Sequence, residues 1–382
     1  MTSIRTGTGR QRPDHMSAKR KGAVTAMAIV AHSYPFVVGV DTHARNHVYA
    51  IINTATAAVL ETRDFPTTAA GIKRSIAWVA RRTGADMATL WAIEGAASYG
   101  AVLAGTIAAA GYPVVEAARM NARANRGVGK TDQLDAQRIA AAVLPLETSQ
   151  LRRPRLNAGV RAALRVLIAA RDSMTSERTR DVNALTALLR VNSLGLDARK
   201  PLTRAQILQA SRWRERDEPL EISTARAEAT RLAKRITELD TDIGTNTTKT
   251  TELVQISEAA PLLEEKGFGP VTAAICLTAW SHQGRVRSEA AYASLAGTNP
   301  IPASSGNTVR YRLNRGGDRR LNWALHMVAV SRMAFDPDTK RYVEKRQAGG
   351  KTNKEIRRCI KRYLARQIYR TLNSAKPAQP EH

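Results

Sequence analysis

Four acidic residues stand where phosphodiester chemistry would use them. Asp41 follows the apolar run Phe36–Val40 in Gly39-Val40-Asp41-Thr42-His43, and Glu94 follows Ala88–Ile93 in Ile93-Glu94-Gly95. Asp132 and Asp135 lie three apart in KTDQLDA, at the start of a helical pattern, so they share one helix face. Carboxylates brought together repel one another, and divalent cations make such a cluster tolerable at neutral pH. Oxygen-rich sites suit Mg²⁺, and a pair of ions clamps both the attacking and leaving oxygens of a phosphodiester. Each acid also has an ordinary structural use. Asp132 can serve as an N-cap with Asp135 at N3, Asp41 can cap a turn, and Glu94 can be solvated. His43 and His47, four apart, suggest a transition-metal pair, but without a cysteine or third histidine they read as turn and surface residues.

Such a cluster needs strand ends side by side and a helix opening next to them. Phe36–Val40, Val48–Ile52 and Ala58–Phe65 read as consecutive strands, the first two joined by a polar turn at Thr42–Asn46. Ala88–Ile93 and Pro113–Glu116 supply two more. Helices are expected over Thr67–Arg82, capped by Thr67 or Thr68, and over Tyr99–Ala110, Met120–Asn125 and Asp132–Leu144. This mixed order predicts a layered α/β domain over residues 35–147, with helices covering the sheet.

Between Ile222 and Ile243, apolar residues fall at Ile222, Ala225, Ala229, Leu232, Ile236, Leu239 and Ile243, a heptad seam. Val160, Leu164, Leu167, Met174, Leu185 and Leu189 suggest a partner helix, interrupted near Asn192–Pro201. A helical coiled-coil region is therefore expected over residues 155–252. One seam serves equally for a hairpin closing on itself or for pairing of subunits. Gly267–Ala274 (GFGPVTAA) has the appearance of a helix-hairpin-helix turn, opening a helix whose first amides can hold a backbone phosphate. Leu321–Ala334 and Glu355–Leu372 read as further helices of a mainly α domain over residues 253–372, followed by a disordered tail, 373–382.

The 382 residues carry 59 Lys plus Arg against 33 Asp plus Glu, a formal net charge of +26. That field attracts phosphate polyanions. Its distribution is uneven: residues 36–145 hold 11 basic and 8 acidic residues, whereas residues 345–370 hold 10 basic and 1 acidic. Concentration of charge near the C-terminal end favours a nucleic-acid surface. Aromatic residues make up 5%, too few for binding built mainly on base stacking. Two cysteines exclude a disulfide framework and fit a reducing cytosol. No apolar run is long enough to span a membrane, and residues 1–34 read as a flexible basic leader.

At these motifs the sequence resembles the DEDD-type insertion-sequence transposases whose recombination is guided by a bridge RNA, the IS one-ten group. The matching pieces are VVGVDTH, AIEGAASYG around Glu94 and GKTDQLDAQRIA around Asp132 and Asp135. KGFGPVTAAI, ASLAGTNPIPASSGN and RLNRGGDRRLNWAL follow in the C-terminal part. The resemblance runs from about Phe36 to Leu372. One departure is TAWSHQGRVRSEAAYAS, which has no acidic residue before Ser281. The resemblance implies an RNase H-like (RuvC-like) domain whose tetrad Asp41, Glu94, Asp132 and Asp135 binds Mg²⁺. It implies a C-terminal domain whose serine attacks DNA and forms a covalent intermediate. Also implied are a composite site shared by two protomers, in a dimer or tetramer on nucleic acid, and a noncoding RNA that pairs with donor and target DNA. A cytoplasmic, nucleoid-associated protein is expected.

Ser304-Ser305-Gly306 lies between Pro302 and an Arg-rich segment. The adjacent glycine favours Ser305 as the nucleophile. With no histidine close in sequence, its activation falls to the metal-bound carboxylates. Arg310, Arg312, Arg315, Arg319 and Arg320 can fork onto phosphate oxygens, and Lys130 can steady the scissile phosphate. Lys354, Arg357, Arg358 and Lys361 lie on a basic helix whose apolar stripe is Ile356, Ile360, Leu364 and Ile368, suited to RNA or DNA backbone. Rival readings are a junction-resolvase-like nuclease using water, an actin-like or sugar-kinase-like ATPase, and a non-catalytic nucleic-acid binder. The ATPase reading needs further glycine-rich phosphate loops, and no Walker or paired-glycine signature appears in the sequence.

Overall fold

The computed structural model describes residues 28–117, 129, 131–304 and 311–375. A short helix, α1 (Val30–Ser33), leads into β1 (Phe36–Thr42), β2 (Asn46–Asn53) and β3 (Val59–Pro66). Then come α2 (Ala69–Arg82), β4 (Leu90–Ile93), α3 (Ala101–Ala109), β5 (Val114–Glu116) and α4 (Asp132–Val143). The sheet order is β3-β2-β1-β4-β5. β1–β2 and β2–β3 are antiparallel, with short loops, while β1–β4 and β4–β5 are parallel. Parallel neighbours need crossovers, and α2 and α3 provide them. The expected mixed α/β domain is present, with Thr68 as the cap of α2, accepting from the Gly71 amide at 3.1 Å. The helix expected over Met120–Asn125 lies outside the described residues.

Strand alternation divides the core in two. Val38, Val40, Tyr49, Ile51, Trp91 and Ile93 meet Ile72, Trp78 and Val79 of α2 and Leu103 and Ile107 of α3. Val37, Ile52, Leu90, Ala92 and Val115 meet Ile139, Ala140 and Val143 of α4. The last residues of the expected leader join this second layer. Val30 is fully buried, and its amide donates to the Leu146 carbonyl at 2.8 Å, so residues 29–33 are anchored to the domain.

Two long helices follow: α5 (Gly159–Val191) and, after α6 (Arg204–Ser211), α7 (Leu220–Gln255). Ala225, Ala229, Leu232 and Ile236 of α7 are buried against Leu185 and Leu189 of α5 and Ile207 and Ala210 of α6. The seam is thus satisfied inside one chain. Arg178 of α5 reinforces the pair by holding Asp240 at 2.5 Å.

The remainder comprises α8 (Ala260–Leu263), α9 (Pro270–Trp280) and α10 (Glu289–Leu295), a two-stranded hairpin of β6 (Pro300–Pro302) and β7 (Tyr311–Leu313), and α11 (Arg319–Phe335), α12 (Pro337–Ala348) and α13 (Asn353–Ser374). α9 is apolar all round and every residue from Thr272 to Trp280 is buried, so the other helices wrap it. Gly267, at φ +82°, makes the turn between α8 and α9, where a Cβ would crowd the Val328 carbonyl at 3.2 Å. Ile356, Ile360, Leu364 and Ile368 of α13 are buried, the stripe expected from their spacing. α13 reaches Ser374, so the first residues of the expected disordered tail are helical. Among the described residues, no helix is long and apolar enough to cross a membrane.

Candidate active site

The approach of α4 to β1 builds the site. Gly39 sits mid-strand, where a Cβ would lie 2.1 Å from the Ala136 carbonyl oxygen and 2.5 Å from the Ala140 nitrogen. Only a hydrogen at this position lets the helix backbone come so close. Two residues on, on the same face, is Asp41; one turn before Ala136 is Asp132. Thr131 caps α4, its Oγ1 accepting from the Leu134 amide at 3.2 Å. Asp132 therefore does not fill the capping role that its position in the sequence allowed, and its carboxylate turns to the strand end.

Between the two carboxylates stands His43. Its Nε2 lies 3.1 Å from Asp41 Oδ2 and 3.6 Å from Asp132 Oδ2. One donor atom from each of these residues fits within a 4.8 Å span, a grouping able to hold a metal ion. Asp41 is buried and Asp132 exposed, at the wall of an open cleft of about 790 Å³ also lined by Arg45, Asp64 and Thr131. His43 is a turn residue, as expected, but the fold recruits it to the acidic pair. His47 departs from its expected place at the surface. It is 1% exposed, paired with Thr42 across the β1–β2 ladder, and burial followed by the His43 charge lowers its pKa. Period-two alternation from Asp41 to His43 was the available signal for the imidazole's position.

Glu94 enters from the neighbouring strand. Its amide donates to the Val40 carbonyl at 2.9 Å, and its carbonyl accepts from Thr42 Oγ1 at 2.8 Å, locking the ends of β1 and β4 together. Gly95 follows at φ +63°, turning the chain away, and the Glu94 side chain is exposed. Asp135, one turn along α4 from Asp132, accepts from Arg138 Nη1 at 2.9 Å, and that arginine also reaches the Gly129 carbonyl. The structure thus groups Asp41 and Asp132 with His43, sets Glu94 on the adjoining strand end, and pairs Asp135 with Arg138. Lys130 lies outside the described residues.

The Ser-Ser-Gly segment falls in the connection between β6 and β7. Ser304 is exposed; Ser305 and Arg310 lie outside the described residues. Arg312 is on β7, and Arg315 and Arg319 are exposed before and at the start of α11. Arg320 holds Asp172 of α5 at 2.5 Å. The two motifs flanking the serines pack together. Gly317, at φ +100°, fits where a Cβ would be 2.5 Å from the Leu295 carbonyl, which accepts from the Asp318 amide at 2.7 Å. On α13, Lys354 and Arg358 are exposed and Arg357 is half-buried. Lys361 turns inward to Asn322 Oδ1 at 2.6 Å, and burial followed by the Arg357 charge lowers its pKa.

Comparison with known proteins accounts for both halves of this arrangement. Residues 38–192 match a family model described as a transposase, of the IS110 DEDD type. Residues 259–344 match the model of the transposase IS116/IS110/IS902 family. The chain belongs to the IS110 family of transposases. An insertion element IS900 uncharacterized 42 kDa protein of Mycobacterium paratuberculosis is 26% identical to this transposase over 368 residues, covering 83% of this chain and 90% of that protein. The mixed sheet with helices on both faces is consistent with a DEDD nuclease-like fold. Such an enzyme acts on DNA. Two carboxylate oxygens and an imidazole nitrogen, one carboxylate buried and one open to a cleft, form a donor set that fits a divalent cation.

Proposed function

We propose that this transposase is the recombinase of its insertion sequence, cutting and rejoining donor and target DNA by serine attack on the phosphodiester, with recognition guided by a bridge RNA. The observation that carries the reading is the meeting of Asp41 and Asp132 on touching element ends, with Glu94 on the next strand end. Mg²⁺ supplies charge stabilisation at the phosphate, held by Asp41, Glu94, Asp132 and Asp135 in a RuvC-like domain. His43 is a nitrogen donor at the same place.

In this reading the Ser305 hydroxyl attacks phosphorus in line with the leaving oxygen. The P–O bond of the strand breaks, and the serine proton passes through solvent or a carboxylate to the leaving oxygen, which departs as a free hydroxyl. The phosphate-bearing strand end stays on the protein as a phosphoserine ester. Attack by the hydroxyl of an exchanged strand reverses the step, so rejoining needs no ATP. Arg310, Arg312, Arg315 and Arg319 hold nonbridging oxygens and Lys130 steadies the scissile phosphate. Lys354, Arg357 and Arg358 present charge to RNA or DNA backbone. Two protomers complete one site, in a dimer or tetramer on nucleic acid, and the helix after Gly267 serves as a helix-hairpin-helix-like backbone contact.

A substrate nicked beside the cleavage point tests this directly, because it prevents religation and accumulates any protein–DNA adduct on a denaturing gel. The unmodified protein is expected to form the adduct and Ser305→Ala to form none while still binding nucleic acid. An adduct that persists in Ser305→Ala and vanishes in Ser304→Ala moves the nucleophile by one residue. Free ends released by water, with neither substitution mattering, establish a resolvase-like nuclease instead. Sequencing of RNA that copurifies with the protein tests the guide: a discrete species from the element's noncoding flank is expected, and random fragments count against it.

A further inference from the structure

A second cavity, of about 430 Å³, shares no lining residue with the cleft beside Asp132 and lies between α5, α9 and the start of α11. Its polar lining is Arg155, Asn157, Arg165, Thr278, Asp318 and Arg320, and its apolar lining includes Val166, Ile275 and Ala279. The three guanidiniums are not equivalent. Arg155 is paired with Asp318 at 3.2 Å and Arg320 with Asp172 at 2.5 Å. Arg165 has only neutral acceptors among the described residues, Asn157 Oδ1 at 2.9 Å and the Ala97 carbonyl at 3.0 Å. Burial and the nearby Arg155 charge both disfavour its cation, lowering its pKa. A half-buried arginine of this kind, with a second arginine lining the same cavity, is relieved by an anion. The apolar lining accepts a flat or puckered carbon framework, and the volume falls within the range of small-ligand pockets.

The cavity also has a telling position. Ala97, which Arg165 holds, is three residues beyond Glu94; Asp318 and Arg320 follow the hairpin that carries the serines. Residues lining the cavity therefore reach both the segment after Glu94 and the segment after the hairpin. We infer that this cavity takes one nucleotide of the DNA strand being processed, its phosphate on Arg165 and Arg155 and its sugar and base against Val166, Ile275 and Ala279. The inference rests on the DNA-cutting reading above and adds a positioning site that the acidic and serine motifs do not contain. RNA is the alternative occupant, and the test separates the two.

Two variants of the full chain probe the cavity by different means. Arg165→Gln removes the uncompensated charge, and Ala169→Trp narrows the cavity from an exposed position on α5 while leaving every arginine in place. The probe is a fluorescein-labelled single-stranded deoxyoligonucleotide of mixed sequence, read by fluorescence anisotropy across a salt series, with an RNA of the same length alongside. Each variant is expected to lose affinity for the DNA, on the order of tenfold, with circular dichroism and melting unchanged. The salt slope should fall by about one in Arg165→Gln and stay constant in Ala169→Trp, because only the first removes a phosphate contact. DNA affinity unchanged in both variants overturns the cavity assignment while the unmodified protein's binding leaves the transposase reading standing. Loss confined to the RNA probe also overturns it, in favour of an RNA site. Failure of the unmodified protein to bind DNA at all removes both proposals together.

Discussion

At the scale of single residues, one missing methyl group decides whether there is a site. Gly39 lets α4 settle on β1, and that contact sets Asp132 beside Asp41. In Gly39→Ala the new Cβ meets backbone atoms that no rotamer can move, so α4 must lift. Overpacking of this kind costs about 1–3 kcal/mol. Denaturant unfolding should report that loss, and Mn²⁺ titration followed by electron paramagnetic resonance should show weakened binding. Asp132→Asn is the contrast: an exposed side chain whose change should leave stability within about 0.5 kcal/mol while Mn²⁺ binding weakens. Equal Mn²⁺ affinity in all three proteins would show that the cation does not sit between these residues.

The elements show how a pattern with two uses is settled by its neighbours. The α7 seam has the spacing of a subunit zipper, yet α5 and α6 cover Ala225, Ala229, Leu232 and Ile236 within the same chain. Leu232→Ala should therefore act as a core truncation, costing about 2–5 kcal/mol. Chemical denaturation at several protein concentrations checks this: the midpoint should drop in the variant and not move with concentration. A drop that disappears on raising the concentration would return the seam to an intersubunit role. The hairpin β6–β7 makes a similar point, since its short strands do little for the core but carry the serine connection at their tip.

Across the whole molecule, the α/β and helical parts meet through a polar junction. Arg285 faces Glu116 of β5 at 3.5 Å, and the Glu116 amide donates to the Arg152 carbonyl at 2.7 Å. On the helical side Arg161 of α5 bonds the Ser281 carbonyl and Glu258, and the Leu156 amide donates to Ser281 Oγ at 3.0 Å. His282 lies in this junction, its pKa pushed down to about 4 by burial first and then by Arg285, Arg161 and Arg153. Its ordinary value is 6.5, so the unfolded chain binds the proton before the folded one does. The contribution of His282 to stability is therefore complete above pH 6.5 and lost progressively toward pH 4. Melting temperatures over this interval should decline more steeply in the unmodified protein than in His282→Gln. Parallel curves would mean that the junction stays wet enough to accept the charge.

The sequence by itself determined the elements and the chemical types at their ends. β-branched runs between polar turns specified the five strands, three-four spacing specified α2, α7 and α13, and the acids at strand ends and the helix opening marked the candidate site. These are local properties, set by side-chain periodicity and backbone preference within a few residues. Tertiary structure alone decided what depends on distance between remote segments. It placed His43 rather than Asp135 between Asp41 and Asp132, gave Asp135 to Arg138, buried His47, and made Thr131 the cap that frees Asp132. It also closed the α7 seam within the chain and set Arg165 against Ala97, 68 residues away. None of these follows from spacing, because a side chain's partner is fixed by which surfaces pack, and packing depends on the whole core at once.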